Sequence, residues 1–290
     1  MIDTAQARAA LLVLAASLSI NVGAAVGKDL FGAVGAEGVA ALRCGIAALV
    51  LWALVRPWRG AALPRAKLGW LAAYGTTLGA MNLCIYLAFV YLPIGLAVAI
   101  EITGPLLLVL LLSRNLRDFV WLALAAGGLA LLLPWRVDYE QIDLRGVLFA
   151  SLAGLCWALY IMLGKRVAGV GASRAVAIGM AFACVVTVPL GILRAGSELL
   201  AAPVLLTGLG VALLSSTVPY VLEMKALSSL SGKVFGLVTA SAPALAALAA
   251  FMVLGERLTG QQWLAVALVM AASAGCALTI RPTAPPLPDA

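Results

Sequence analysis

The chain has 290 residues, of which 64% are hydrophobic and only 11% are charged, and its formal net charge is +7. Soluble domains are about 45–50% apolar and about 25% charged, so this composition predicts a polytopic membrane protein rather than a soluble one. The absence of histidine excludes Ser-His-Asp and Cys-His catalysis and histidine-ligated metal sites. The five cysteines stand singly in apolar segments, so we expect no disulfide, metal or cofactor.

Apolar runs of membrane-spanning length recur along the chain and are separated by short polar breaks. A helix needs about 20 apolar residues to cross a bilayer, and ten runs approach that length. The predicted helices are Ala10–Val26, Val39–Val55, Leu68–Tyr91, Ile94–Leu112, Phe119–Leu133, Gly146–Gly164, Ala175–Leu193, Val204–Met224, Val234–Leu254 and Gln261–Ile280.

The breaks between these runs indicate how the chain crosses the membrane. Only Leu92 and Pro93 separate the third and fourth runs, so these two helices are expected to pack antiparallel. If the N-terminus is cytoplasmic, most loop lysines and arginines fall on the cytoplasmic side, as the positive-inside rule requires. That rule explains the positive net charge, so no nucleic-acid partner is predicted. Both termini are expected in the cytoplasm.

The two halves of the chain resemble each other. The segment Leu92–Pro105 aligns with Leu230–Pro243, and each leads into an apolar stretch. Five helices per half is an odd number, so the second half must be inverted relative to the first. Inverted repeats are typical of secondary transporters, whose substrate site lies at the repeat interface near mid-membrane. We expect residues 1–140 and 141–281 to form the repeats, and residues 282–290 to be a disordered cytoplasmic tail.

Glu101 is the residue most indicative of function, because it stands alone in the apolar run 93–113. A carboxylate within hydrocarbon costs about 2.5–3.5 kcal/mol on insertion scales, so it usually faces a bundle interior or a wet cavity and has a function. Loss of water disfavours its charged form, so Glu101 can exchange a proton or bind the ammonium group of an amino acid. The alternative is a structural ion pair with Arg43, inside the second predicted helix.

Further polar and aromatic residues at helical spacing are candidates for the wall of a cavity around Glu101. Pairs spaced i, i+3 or i, i+4 share one helix face. The alternative for each aromatic residue is ordinary packing or a place at the membrane interface. The candidates are Asn82 and Tyr86, Trp157 and Tyr160, Tyr220, and, from the second repeat, Thr239 and Ser241.

A second group of residues is expected to bend or gate the helices. Pro105 and Pro243 occupy equivalent positions in the two repeats, and Pro219 interrupts the eighth predicted helix. Proline removes a helical hydrogen bond, so these positions are either flexible points for alternating access or kinks without a role in transport. Glu223 and Lys225 are expected near the cytoplasmic end of that helix, as an interfacial pair or gate element.

With these residues laid out, the chain resembles an EamA-type member of the drug/metabolite transporter superfamily, and it is most similar to the threonine/homoserine exporter branch. The resemblance covers nearly the whole chain, and its motifs are specific only in combination. The matching stretches are Ala41–Arg43, Arg56–Arg59, Gly79–Asn82, Glu101–Pro105, Pro219–Met224, Pro243–Ala247 and Leu254–Glu256.

The resemblance implies an all-α membrane protein with ten transmembrane helices in two inverted five-helix repeats. It also implies export of amino acids across the bacterial inner membrane, in exchange for protons, through a central cavity. Related exporters handle aromatic amino acids, so the implied substrates extend beyond threonine and homoserine. One departure concerns Ala242, where the family pattern has a second glutamate directly before Pro243. Glu101 is therefore the only carboxylate that we place well inside the membrane.

These observations predict a secondary transporter that exports amino acids by alternating access. Its expected partners are a small amino-acid substrate, the lipid bilayer and protons, and it is expected to be a monomer or a homodimer. The alternatives are an uncoupled facilitator or channel for small metabolites, and an exporter of other metabolites or drugs. An enzyme acting on lipid would need clustered acids, histidine or a Ser/Lys dyad at one membrane face, and the sequence offers none.

Overall fold

A computed structural model describes residues 4–59, 63–92, 94–113, 116–132, 143–245 and 259–278, which are helical with short connections and no strand. The predicted tail at 282–290, the stretch at 254–256 and the end of the ninth predicted helix lie outside these ranges. The helices are α1 (Thr4–Lys28), α2 (Phe31–Val55), α3 (Arg65–Tyr91), α4 (Ile94–Glu101), α5 (Thr103–Leu112), α6 (Leu116–Leu132), α7 (Leu144–Val167), α8 (Ala172–Ala195), α9 (Ala202–Ala212), α10 (Val218–Ser229), α11 (Gly232–Thr239) and α12 (Gly260–Leu278).

The all-helical fold expected from the sequence is confirmed for the described residues. Within them, seven helical stretches are long and apolar enough to cross a membrane, and two shorter apolar helices, Asp118–Leu131 and Trp263–Ala272, accompany them. Helices suit a bilayer because each satisfies its backbone N–H and C=O groups internally, where no water is available. Leucines such as Leu49, Leu111 and Leu206 point outward and are more than two-thirds exposed, as a lipid-facing surface requires.

Several predicted helices differ from the structure in their continuity. The run Ile94–Leu112 is interrupted at Ile102, between α4 and α5, because Pro105 has no N–H to donate to the Glu101 carbonyl. The run predicted as Val204–Met224 extends to Ser229 and contains a π-helical segment. These interruptions lie beside the residues that the sequence marks as functional.

The second helix begins at Phe31, eight positions before the predicted Val39, and its backbone bends at Gly35. Gly35 has φ 69° and ψ 173°, a backbone conformation that residues other than glycine rarely adopt. The apolar run on which the prediction rests begins only after Glu37 and Gly38. The helix therefore reaches further than its apolar run because Gly35 permits the bend.

The helices pack closely where glycines face each other. α2 lies along α8, and α3 lies along α7 and α8. A Cβ atom at Gly75 in α3 would overlap the backbone of Gly179 in α8, and one at Gly104 in α5 would overlap the Gly154 carbonyl in α7. Small residues at helix interfaces allow such backbone approach, which is how helices associate within a bilayer. These contacts place α7 against the α4–α5 break.

Candidate functional site

A cavity lies between α1, α2, α3, α4, α7 and α10, and its wall includes all three charged residues that are buried among the described residues, Arg43, Glu101 and Glu223. Its apolar wall includes Ile85, Phe89 and Val98. Ligand sites are typically concave and mostly apolar, with a few polar groups that converge on the ligand. Of the residues predicted from the sequence, the cavity wall brings together Arg43, Asn82, Tyr86, Glu101, Trp157, Tyr220 and Glu223.

Arg43 is held on one side of the cavity by the π-helical segment Leu213–Thr217. Its Nε donates to the Ser216 hydroxyl over 2.9 Å, and its Nη2 donates to the Ser215 carbonyl. Pro219, four residues after Ser215, has no N–H for that carbonyl, so the guanidinium supplies a donor that the helix lacks. Arg43 is only 2% exposed, and these bonds fix its orientation.

Asn82 and Tyr220 link α3 to α10 across the cavity. The Tyr220 hydroxyl donates to Asn82 Oδ1 over 2.9 Å and accepts a longer bond, 3.5 Å, from Arg43 Nη2. The Asn82 amide donates to the Leu78 carbonyl, which fixes the amide's direction. The Arg43 guanidinium also lies over the Tyr86 ring, 5.0 Å from its centroid, a cation–π geometry. These residues form one connected polar network.

Glu223 lies in the cavity wall, whereas the sequence predicted it near the cytoplasmic end of its helix, beside Lys225, as an interfacial pair or gate element. It is 1% exposed, whereas Lys225 is exposed to the surroundings. The Tyr160 hydroxyl donates to Glu223 Oε2 over 3.0 Å, and Oε1 has no hydrogen-bond partner among the described residues. Glu223 is therefore a second buried carboxylate in the same site, where the sequence predicted only one, Glu101.

Glu101, the last residue of α4, lines the cavity with 7% of its surface exposed. No ion pair within 4.0 Å joins it to Arg43 among the described residues, and neither of its carboxylate oxygens accepts a hydrogen bond from them. Arg43 and Glu223 are its charged neighbours. The Glu101 carboxylate thus faces the cavity with its acceptor capacity unused.

Thr239 and Ser241 are buried but do not belong to the cavity wall formed by the described residues. Their hydroxyls donate to carbonyls of their own segment, those of Phe235 and Val238. Ala242, where the family pattern has glutamate, does line the cavity. The described residues after position 140 therefore contribute Trp157, Tyr220, Glu223 and Ala242 to the wall, and not the two hydroxyls expected from the sequence.

The cavity wall also includes two polar residues of α1. Ser17 lines it from α1, and so does Asn21, whose amide donates to the Ser17 carbonyl. Small polar residues are common in membrane helices, so nothing in the sequence distinguishes these two from structural ones. Their side chains become notable only because α1 packs against α10.

On the other side of the cavity, toward the C-terminal end of α7, the interior is filled. The Tyr74 and Tyr160 rings stack with centroids 5.2 Å apart, and Met224 and Leu227 are fully buried. Nothing in the sequence marked Tyr74, because an aromatic residue in an apolar helix is usually packing. The cavity therefore meets a closed layer on this side.

Comparison with known proteins shows to which family this chain belongs. The model of the EamA-like transporter family matches residues 144–278. The chain is also 44% identical, over 271 residues, to the threonine/homoserine exporter RhtA of Salmonella typhimurium (strain SL1344), covering 93% of this chain and 92% of that protein. The protein belongs to the EamA-like transporter family.

This EamA-like transporter is similar to further exporters. Over 270 residues it is 44% identical to the threonine/homoserine exporter RhtA of Escherichia coli (strain K12), with 93% of this chain and 91% of the relative covered. The resemblance stated from sequence motifs is confirmed, and the chain is a multi-pass membrane transporter rather than an enzyme. A solved crystal structure with 21% identity has a TM-score of 0.69 and covers 92% of this chain and 96% of its own, a likeness of fold alone.

The closed layer gives a first prediction for this EamA-like transporter. Lys165 Nζ donates to the carbonyls of Leu227, over 2.8 Å, and Leu230, at the C-terminal end of α10. Lys165→Met leaves these carbonyls without that donor and removes a cation from a helix C-terminus. We expect the unfolding midpoint in detergent to fall by about 2–4 °C for each kcal/mol lost.

Lys28→Met is the matched control, because Lys28 ends α1, is exposed and donates no hydrogen bond within the described residues. Both variants are followed by size-exclusion chromatography after heating. Equal unfolding midpoints for the two variants would show that the hydrogen bonds of Lys165 contribute nothing to the stability of the protein.

The polar network gives a second prediction. Tyr220→Phe removes the hydroxyl that Asn82 Oδ1 accepts from, and so leaves a buried acceptor unpaired at a cost of about 1–3 kcal/mol. The unfolding midpoint should therefore fall, while Tyr91→Phe should leave it unchanged, because Tyr91 is only half-buried and stacks on Phe149 through its ring. An unchanged midpoint in Tyr220→Phe would contradict the network.

Proposed function

We propose that this protein exports threonine, homoserine and other neutral amino acids, aromatic ones included, from the cytoplasm across the bacterial inner membrane. The observation that carries the proposal is the buried cavity with Arg43, Glu101 and Glu223 in its wall, within a chain 44% identical to exporters named for threonine and homoserine. An amino acid carries one positive and one negative group, and this cavity offers charges of both signs.

The proposed architecture has ten transmembrane helices in two inverted five-helix repeats, residues 1–140 and 141–281, with both termini in the cytoplasm. Backbone features recur at positions 138 residues apart in the sequence. The hydrogen-bonded residues Asn82 and Tyr220 have the same sequence separation. Leu92 and Leu230 end their helices with ψ 151° and 152°. Ile102 and Ala240 break theirs at nearly the same angles. Such recurrence supports a common repeat.

The proposed mechanism is alternating access with bending at the helix interruptions. Pro105 and Pro243 have no N–H for the carbonyls of Glu101 and Thr239, and both follow a break. Pro219 begins α10 beside the π-helical segment. Interrupted helices that flank a central site are where transporters exchange inward- and outward-open states. This supports the three prolines as points of movement.

Proton exchange is the proposed energy source, with Glu101 as the group that binds either the proton or the substrate amine. A carboxyl beside a cavity and away from bulk water suits both ligands. An uncoupled facilitator is the second candidate, because its cavity would have the same form as that of a proton-coupled exporter.

The experiment uses purified protein in proteoliposomes, with radiolabelled threonine outside and an imposed pH difference. We expect threonine to accumulate above its outside concentration when the interior is acidic, and only to equilibrate at equal pH. Equilibration under both conditions would overturn proton coupling and favour a facilitator. No threonine flux beyond that of protein-free liposomes would overturn threonine export itself.

A further inference from the structure

The cavity wall contains an unusual number of polar groups whose bonding capacity is unused. Glu223 Oε1, the Tyr86 hydroxyl and Trp157 Nε1 are buried and have no hydrogen-bond partner within the described residues. Buried polar groups are normally paired, since an unpaired one costs about 1–3 kcal/mol. These three lie in the wall of the same cavity as Glu101, so a ligand in that cavity is the natural partner.

One end of this arrangement suits an anion. The Arg43 guanidinium has five N–H donors. Nε bonds Ser216, and Nη2 bonds Ser215 and Tyr220, while no hydrogen bond within the described residues uses Nη1. Arg43 lines the cavity and its other bonds hold the guanidinium plane fixed, so an anion that binds there meets a donor group that is already ordered. A carboxylate is the anion that a guanidinium binds best.

The other end suits a cation. Glu101 and Glu223 are electrostatic neighbours of each other and of Arg43. Two carboxylates face one guanidinium, so the cavity lacks one positive charge when both acids are ionised. A buried carboxylate without a counter-charge is costly, and an ammonium group can donate three hydrogen bonds to the free oxygens.

We propose that the cavity binds an amino acid as a zwitterion, with its α-carboxylate on Arg43 Nη1 and its α-ammonium between Glu101 and Glu223 Oε1. Tyr160 positions Glu223 through its bond to Oε2. The site then requires both free α-groups, and Glu223 and Arg43 join Glu101 as specificity-determining residues. This inference rests on the proposed export of amino acids and names how that substrate is recognised.

The first test varies the substrate rather than the protein, so folding is not at issue. Wild-type proteoliposomes exchange radiolabelled threonine in the presence of unlabelled threonine, threoninamide or N-acetylthreonine. Threoninamide lacks the carboxylate, and N-acetylthreonine lacks the ammonium group. We expect each analogue to compete at least about tenfold more weakly than threonine, since each loses a charge-assisted hydrogen bond.

Four outcomes would overturn this assignment in part or as a whole. Threoninamide competing as well as threonine removes Arg43 as the carboxylate anchor. N-acetylthreonine competing as well removes the two glutamates as the ammonium site. Threonine exchange that is absent altogether overturns the proposed function, and this inference with it, whereas strong exchange with unselective competition overturns the inference alone.

The second test varies Glu223, with Glu198→Gln as the matched control because Glu198 lies exposed on the 3-10 turn Gly196–Leu200. Glu223→Gln keeps an oxygen that can accept from Tyr160, but it removes the negative charge. The half-saturating threonine concentration should rise by about tenfold or more in Glu223→Gln and stay at the wild-type value in the control. Equal values in the two variants would overturn the role of Glu223.

Discussion

Glu101→Gln is expected to reduce threonine exchange by about 100-fold while the protein still folds. Removing a charge that pairs with a buried opposite charge costs about 2–5 kcal/mol, which is the basis for that factor. The Glu101 side chain makes no hydrogen bond within the described residues, so glutamine should fit without disturbing the fold. Exchange is measured in proteoliposomes and normalised to folded protein from size-exclusion chromatography.

Glu198→Gln makes the same chemical change at an exposed site and should exchange threonine at the wild-type rate. If Glu101→Gln is equally active, Glu101 is neither the substrate contact nor the coupling group. Its isolation in an apolar helix would then be a matter of structure alone.

Gly104→Ala is expected to have the largest effect on stability. A Cβ at Gly104 overlaps the backbone carbonyl of Gly154, so α5 and α7 cannot keep their present separation. Overpacking of a tight interface costs about 1–3 kcal/mol, and backbone has less room to yield than a side chain. We expect an unfolding midpoint lower by about 2–10 °C, or little folded protein, in thermal challenge followed by chromatography.

Gly127→Ala is the matched control, because Gly127 also lies within a helix and its added Cβ would meet no atom within 4 Å. Alanine is the better helix former, so this variant should be as stable as the wild type or slightly more stable. Similar midpoints for the two variants would contradict the close α5–α7 contact that holds Glu101 at the cavity.

The sequence predicted helix ends well where an apolar run determined them. The ends at Val55 and Tyr91 match α2 and α3, and Leu112 matches α5. The start of α2 was missed because the helix begins at Phe31, before the apolar run, and continues through a bend at Gly35. The break at Ile102 was anticipated only as a kink near Pro105, since one missing hydrogen bond does not reveal how far a helix will open.

The site was predicted in part, and the misses have physical causes. Glu101 was found because one charge in an apolar run is costly wherever it packs. Glu223 was predicted beside Lys225 near the end of its helix and not in the cavity wall, since counting along the run gave no sign of the π-helical segment or of the extension to Ser229. Thr239 was expected to face the cavity, but a threonine hydroxyl can equally bond its own helix, and only tertiary structure decides.

The hydrogen bonds between Arg43 and the π-helical segment could not be predicted from any local sequence pattern. Residues 43 and 215 meet only because α2 packs beside the junction of α9 and α10. A carbonyl left without a helical donor by Pro219 and an arginine in a membrane helix each look unfavourable alone. Together they satisfy each other and orient the guanidinium at the cavity.

The central claim, that this chain is a carrier of amino acids, is tested most directly by counterflow. Proteoliposomes preloaded with unlabelled threonine are diluted into a trace of radiolabelled threonine, without any ion gradient. We expect transient accumulation of label above its equilibrium level, and no such accumulation in vesicles without preloaded threonine. Identical uptake by preloaded and empty vesicles would contradict a carrier that binds threonine in an alternating site.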